Sequence, residues 1–143
     1  MTARLAVAHL VRAANGPAVF ADFVGSYRAH APGCAHDLLL ICKGFADSGL
    51  PADFASVVGD LAHHAFFVSD AGVDVSVYFA AARAHEYHRL CFVNSFSVVQ
   101  DAGWLRKLDA HAARDGIGVV GATGSWESPA TAVLPAVRPR GVR

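Results

Sequence analysis

The chain has 143 residues, of which 54% are apolar and 17% are charged, and its 12 basic and 12 acidic side chains balance to a formal net charge of +0. This length suits one folded domain, and the apolar excess excludes intrinsically disordered and fibrous classes. A chain without net charge has no broad positive field to attract phosphate backbones, so we expect no nucleic-acid partner.

Membrane and secretory segments are not expected. Uninterrupted apolar runs such as residues 38–42 and 65–68 are far shorter than the roughly 20 residues that span a bilayer. The N-terminus lacks the apolar core and cleavage site of a secretory signal. The three cysteines, Cys34, Cys42 and Cys91, are odd in number and widely spaced, which favours reduced thiols. We therefore expect a cytoplasmic location.

Strand and helix signals alternate along the first part of the chain. Leu5–Val11 is an apolar, β-compatible segment, and Asn15-Gly16-Pro17 predicts the start of a helix that ends before Pro32-Gly33. The run Asp37–Cys42 is almost continuously apolar, as expected of a strand that helices cover on both faces of a parallel sheet.

The same alternation continues to about residue 122. Helices are predicted to begin near Pro51, Asp74 and Asp101. In the second of these, Val75, Tyr78, Phe79 and Ala82 recur at helical spacing. The predicted strands are Ala65–Val68, Leu90–Val93 and a short last strand at Ile117–Ala122. This order predicts the α/β class, with a mostly parallel sheet in a three-layer α/β/α, Rossmann-like arrangement.

Ligands of such a sheet bind beyond the carboxyl ends of its strands. The loops expected there are residues 12–16, 43–44, 69–74, 94–97 and 121–127. The first strand is followed by neither Gly-x-x-x-x-Gly-Lys-Ser/Thr nor Gly-x-Gly-x-x-Gly, so kinase, GTPase and simple dinucleotide-binding functions lose support. The glycine-rich run Gly118–Gly124 has no predicted helix behind it, which also argues against a dinucleotide site.

Four segments resemble a known family by their order and spacing. They are Asp70-x-Gly72-x-Asp74, a helix containing Tyr78 and Ala81, Leu90–Ser95 followed by Trp104-Leu105, and Val119–Glu127. Together they resemble the nucleotide-sugar-binding half of GT-A type glycosyltransferases, in the style of the inverting family 2 enzymes and the bacterial rhamnan-synthesis transferases. The resemblance implies a GT-A-like domain over residues 1–127. Residues 128–143, rich in proline and arginine, are expected to form a tail or arm.

The resemblance implies binding of a nucleotide-diphosphate sugar and transfer of the sugar to a polysaccharide or glycan acceptor. The candidate donor-binding residues are Arg12, Lys43, Asp70, Gly72, Asp74, Asn94, Ser95, Ser97 and Trp126. The family ends its fourth strand in an Asp-x-Asp that binds a divalent ion, whereas this chain has Asn94-Ser95-Phe96 there. An amide, a hydroxyl and a phenyl ring supply no anion for Mg²⁺ or Mn²⁺, which argues against the family's metal dependence.

The family's acceptor half has little counterpart in this sequence. Glu127 is the carboxylate nearest the expected acceptor edge, so it is the candidate catalytic base, with a salt bridge or cap as its structural alternative. We expect either a minimal relative or a protein completed by a partner. A sheet without its second half would expose an edge and an apolar face, so we expect a homodimer.

Structural roles compete with ligand binding at several candidates. Asp70 and Asp74 flank a predicted helix start, where carboxylates cap free N–H groups. Arg12 and Lys43 each suit either a diphosphate or an ordinary ion pair.

The sequence bears on three other possibilities: a zinc site, a non-catalytic module and a different α/β family. His85 and His88 have helical spacing near Cys91, but no second ligand pair has a fitting spacing, so no zinc site is predicted. The alternative function is a non-catalytic α/β binding or assembly module that keeps the fold without a metal site. A flavodoxin-like or response-regulator-like domain would need an acidic cluster after the first strand, which this sequence lacks.

Overall fold

Strands and helices alternate along residues 5–46 and 49–122, the part of the chain that the computed structural model describes. The elements are β1 (Leu5–Arg12), a 3₁₀ turn (Ala13–Asn15), α1 (Gly16–Ala29), β2 (Asp37–Lys43), α2 (Ala52–Val58), β3 (His64–Val68), α3 (Asp74–Ala84), β4 (Arg89–Val93) and α4 (Trp104–Ala112). Four predicted strands and four predicted helices are thus confirmed, with ends that differ by a few residues.

The four strands form one parallel sheet in the order β3-β2-β1-β4. In the register of the central pair, His9 lies beside Leu40 and Arg12 beside Lys43. The predicted α/β class, with a parallel sheet between helices, is confirmed. The chain builds outward from β1 through β2 to β3 and then crosses to β4 on the other side of β1. The strand order therefore reverses between β1 and β4, which is where open α/β sheets form their ligand crevice.

Helices cover the two faces of the sheet unequally. On one face, α1, α2 and the first turn of α4 pack through Phe23, Phe54 and Leu105. On the other face, α3 packs through Val77 and Ala81. Because β1 and β2 lie between both layers, nearly all of their side chains are buried.

The apolar pattern that predicts α3 coincides only in part with the residues that α3 packs on the sheet, since Tyr78 is half-buried against that core. The buried residues of α3 are Val77 and Ala81, whereas Val75 and Phe79 are 57% and 61% exposed. Both sets of residues have helical spacing, so periodicity alone does not separate them. The small Ala81 lets the helix approach the sheet closely, which favours the stripe that contains it.

The described chain divides into two compact units at Lys107–Leu108, a junction that lies within α4. In the second unit, the described residues after α4 form no strand, so the predicted strand Ile117–Ala122 is wrong. Val119 is 90% exposed, and the glycines at 116, 118 and 121 supply no side chain to pack in a sheet. The predicted 127/128 boundary and the tail lie outside the described residues. None of the described helices has the length and apolar character needed to cross a bilayer.

His9 is a polar residue in the middle of the buried strand β1. Its ring is 1% exposed and stacks on Phe23, with 3.6 Å between ring centroids and 8° between ring planes. Burial lowers the pKa of His9 from 6.5 to about 3, while a weaker interaction with the Val93 backbone acts in the opposite direction. The imidazole is therefore neutral over the physiological pH range.

Replacing His9 with Phe should make the free energy of unfolding depend less on pH below about pH 6.5. The unfolded chain binds a proton at His9 below pH 6.5, whereas the folded chain does so only near pH 3. The stability that neutral His9 contributes is therefore complete above pH 6.5 and is lost as pH falls, by at most about 1.4 kcal/mol per pH unit. Urea unfolding of both proteins between about pH 7.5 and pH 4.5 tests this. As the pH falls, the unsubstituted protein should lose more free energy of unfolding than the variant does. A stability difference between the two proteins that does not change with pH would contradict this prediction.

Candidate functional site

The carboxyl ends of the four parallel strands bring most of the candidate donor-binding residues to one edge of the sheet. β1 ends at Arg12 and β2 at Lys43, the loop after β3 contains Asp70 and Asp74, and Asn94 directly follows β4. Of the other candidates, Gly72 lies in the β3–α3 loop and Ser95 and Ser97 follow Asn94. Trp126 and Glu127 lie outside the described residues.

Lys43 is held inside the protein by an ion pair. Its side chain is 2% exposed, and its Nζ donates hydrogen bonds to the Gly72 carbonyl at 2.8 Å and to Asp74 Oδ1 at 3.3 Å. Gly72 has a φ of +78°, and a Cβ there would lie 2.9 Å from Ser76 Oγ, so this loop conformation requires glycine. The ammonium of Lys43 therefore ties the end of β2 to the start of α3.

Arg12 makes a second, more exposed ion pair. Its Nη2 lies 3.3 Å from Asp70 Oδ1, with side chains that are 31% and 57% exposed. Gly44 brings the end of β2 against this pair, because its φ is +78° and a Cβ there would lie 3.2 Å from the Asp70 Cβ. The N-cap position of α3 is Val73, which makes no side-chain cap bond. Asp74 lies in the first turn, where its charge suits the helix dipole.

Asn94 and its neighbours form a self-contained turn after β4. Asn94 Oδ1 accepts hydrogen bonds from the Phe96 N–H and from Ser97 Oγ, both at 3.0 Å. Buried Ser95 donates to the Leu10 carbonyl at 2.9 Å, which ties the turn to β1. Within the described ranges, no group of three or more His, Cys, Asp or Glu side chains is arranged to hold a metal ion. His85 and His88 follow the last residue of α3, so they do not share a helix face.

A narrow crevice lies at the switch point between the ends of β1 and β4. Its lining includes His9, Arg12, Asn15, Val19 and Ser95, and it is too narrow to hold a water molecule. Four buried nitrogen atoms on this lining have no hydrogen-bond partner: His9 Nδ1, His9 Nε2, Arg12 Nε and Asn15 Nδ2. Sequence reasoning missed two of these residues. The one available signal for His9 is a titratable side chain within an apolar strand.

Comparison with known proteins adds nothing to this geometry. No protein-family model, curated protein or solved structure gives a significant match to the chain.

The two aspartates of the edge should differ in their effect on stability. Asp74→Ala leaves the buried Lys43 ammonium with only the Gly72 carbonyl, so it should lower the free energy of unfolding by about 2 kcal/mol. Asp70→Ala removes the same group from an exposed pair and should lower that free energy by less than about 1 kcal/mol. Urea unfolding measures both variants against the unsubstituted protein. Equal losses, or a larger loss for Asp70→Ala, would show that burial of Lys43 does not control the energetics of this edge.

Proposed function

We propose that the chain is the donor-binding domain of a GT-A-like glycosyltransferase. It binds a nucleotide-diphosphate sugar over the carboxyl edge of the sheet and supports transfer of the sugar to a polysaccharide or glycan acceptor. One observation carries the proposal: the strand order gathers Arg12, Asp70 and Asn94 from three separate loops at a single edge that includes the switch point. Open α/β sheets bind nucleotide-type ligands at this position.

The chemistry proposed is a single displacement. A hydroxyl of the acceptor attacks the anomeric carbon, the new glycosidic bond forms, and the bond to the diphosphate oxygen breaks with its electron pair. Arg12 is the cation we assign to the leaving diphosphate, since Lys43 is buried in its pair with Asp74. Glu127 is proposed to accept the proton of the attacking hydroxyl, and Trp126 to contact the acceptor or the nucleotide.

Asp70 and Asn94 are assigned to the nucleoside. The Asp70 carboxylate is 57% exposed beside Arg12, so it is available to accept hydrogen bonds from a base or ribose. The Asn94 carbonyl oxygen is engaged in its own turn, which leaves its exposed amide to donate. The residues at the Asp-x-Asp position do not fit a divalent ion, because an amide, a hydroxyl and a phenyl ring bring no negative charge. The proposed reaction therefore uses no metal.

The alternative is a non-catalytic α/β binding or assembly module. It is favoured by the narrow crevice at the switch point, which cannot hold a nucleotide without rearrangement. Preformed ligand sites typically enclose about 300 to 1,000 Å³.

We also propose that the protein is a cytoplasmic homodimer. Phe79, Phe92 and Phe96 are 61%, 40% and 73% exposed, and Phe92 stacks on Tyr78 of α3, which joins the aromatic surface of α3 to β4. Among the described strands, β4 is an edge strand that pairs with β1. Large exposed apolar side chains beside an open edge are typical of interaction surfaces. None of the described cysteines, Cys34, Cys42 and Cys91, forms a disulfide, which suits a reducing compartment.

Calorimetric titration with UDP-, GDP- and dTDP-sugars, with and without Mn²⁺, tests the donor site. One donor class should bind, and Mn²⁺ should leave its Kd unchanged. Arg12→Ala should raise that Kd by at least about tenfold, because the charged hydrogen bonds to the diphosphate are lost. Arg83→Ala, in the last turn of α3, is the control and should bind as the unsubstituted protein does. Absence of binding to every donor under both conditions would leave only the non-catalytic alternative.

Light scattering tests the dimer. The protein should have twice the chain mass of 15.0 kDa, and Phe79→Asp should give the monomer, because it places a charge in the buried surface. Ala21→Asp, at an exposed position of α1 on the opposite face of the sheet, is the matched control and should remain dimeric. A monomeric unsubstituted protein at high concentration would refute this proposal.

A further inference from the structure

The crevice between β1, the start of α1 and the turn after β4 contains more unpaired polar atoms than a structural role explains. His9 is 1% exposed, and neither of its ring nitrogens makes a hydrogen bond of normal geometry, although the ring interacts weakly with the Val93 backbone. Arg12 Nε and Asn15 Nδ2 are also buried and unpaired on the same lining. A buried polar group without a partner lowers the stability of the folded chain. Several such atoms around one crevice therefore indicate a ligand that satisfies them.

The types of unpaired atoms define the chemistry of that ligand. Arg12 Nε and the Asn15 amide nitrogen are donors only, and neutral His9 has one donor and one acceptor nitrogen. The ligand must therefore offer several acceptor oxygens and one hydroxyl. A singly protonated phosphoryl group has both, whereas a carboxylate has no proton to donate.

The electrostatics of the crevice favour an anion. The first turn of α1, a helix of 14 residues, contains no acidic side chain, and Asn15 at its N-cap makes no side-chain cap bond. The partial positive charge of this helix end is therefore not balanced by a neighbouring carboxylate of the helix. The Arg12 guanidinium adds a full positive charge on the same side.

The Arg12–Asp70 pair is positioned to control entry. In this structure the crevice is too narrow for a water molecule, so a ligand enters only if a lining side chain moves. Arg12 is 31% exposed, and its single ion-pair contact is 3.3 Å long to a carboxylate that is 57% exposed. Exposed pairs of this kind contribute little to stability, which makes Arg12 the side chain most easily displaced.

We propose that His9, Arg12 and Asn15 form a binding site for a phosphoryl group, with the N-terminus of α1 completing the site. Opening it moves Arg12 off Asp70 so that the guanidinium and the His9 ring contact the bound oxygens. The site does not depend on the proposed glycosyl transfer, because free phosphate and the phosphate of a larger molecule offer the same atoms.

Inorganic phosphate is the probe, measured by calorimetric titration and by the shift in Tm against sodium chloride of equal ionic strength. The full chain should bind phosphate and gain about 4 °C in Tm at a concentration tenfold above Kd. Asn15→Ala and His9→Phe should each weaken phosphate binding at least about tenfold, since each removes hydrogen bonds to a charged ligand. Asn15 makes no side-chain cap bond, so Asn15→Ala should fold as the unsubstituted protein does. This variant therefore tests the site even if His9→Phe does not fold.

Charge-matched and ligand-matched controls decide the result. Arg12→Ala should abolish the phosphate response, whereas Arg83→Ala, which removes the same charge from α3, should leave it unchanged. Acetate should bind at least about tenfold more weakly than phosphate, because it has no hydroxyl to donate to His9. UDP should bind, whereas uridine, which has no phosphate, should not.

Three outcomes would overturn the inference. They are equal Tm values in phosphate and chloride, unchanged phosphate affinity in both Asn15→Ala and His9→Phe, and a response to uridine without a response to phosphate. A phosphate response that persists when no nucleotide sugar binds supports this site while refuting the proposed function. The phosphate titration and the nucleotide-sugar titration therefore test the two proposals separately.

Discussion

Burial of the two central strands on both faces is the constraint on which the rest of this molecule depends. β1 and β2 lie between two helical layers, so a charged or polar side chain can reach solvent only where a strand ends. Burial extends even to a strand end at Lys43, which is the last residue of β2 and whose side chain is only 2% exposed. Its ammonium needs a partner inside the fold, and that need fixes both the Gly72 carbonyl and the first turn of α3 at the same edge.

Sequence patterns predicted the elements whose burial is strongly constrained. They did not predict the packing of elements that are only partly buried. The run Asp37–Cys42 reads as a buried strand because both of its faces must be apolar, and proline with glycine marks the ends of α1. The apolar pattern of α3 indicates a helix without showing which side packs, and α3, the one described helix packed on its face of the sheet, leaves Phe79 exposed. Residues 117–122 include apolar side chains but also glycines. They are not buried against a sheet, so they do not form a strand.

The edge that carries the candidate site was predictable, whereas the pairing within it was not. Parallel topology alone sends Arg12, Asp70 and Asn94 to one edge. Which carboxylate meets which cation depends on the register that sets Arg12 beside Lys43 and on left-handed glycines that let loops approach closely. His9 could not be singled out from the sequence, because a single polar residue in an apolar strand is usually a satisfied core residue. Only the unpaired state of its nitrogens separates it from that case.

The two ion pairs of the edge have opposite consequences for ligand binding. The Lys43 ammonium is buried between Asp74 and the Gly72 carbonyl, so an arriving anion could reach it only by displacing these partners. Arg12 and Asp70 meet near solvent, where a new anion can replace the old one at little energetic cost. An anion at this edge is therefore directed toward Arg12, and so toward the reversal of strand order between β1 and β4. Topology and electrostatics thus select the same side of the sheet independently.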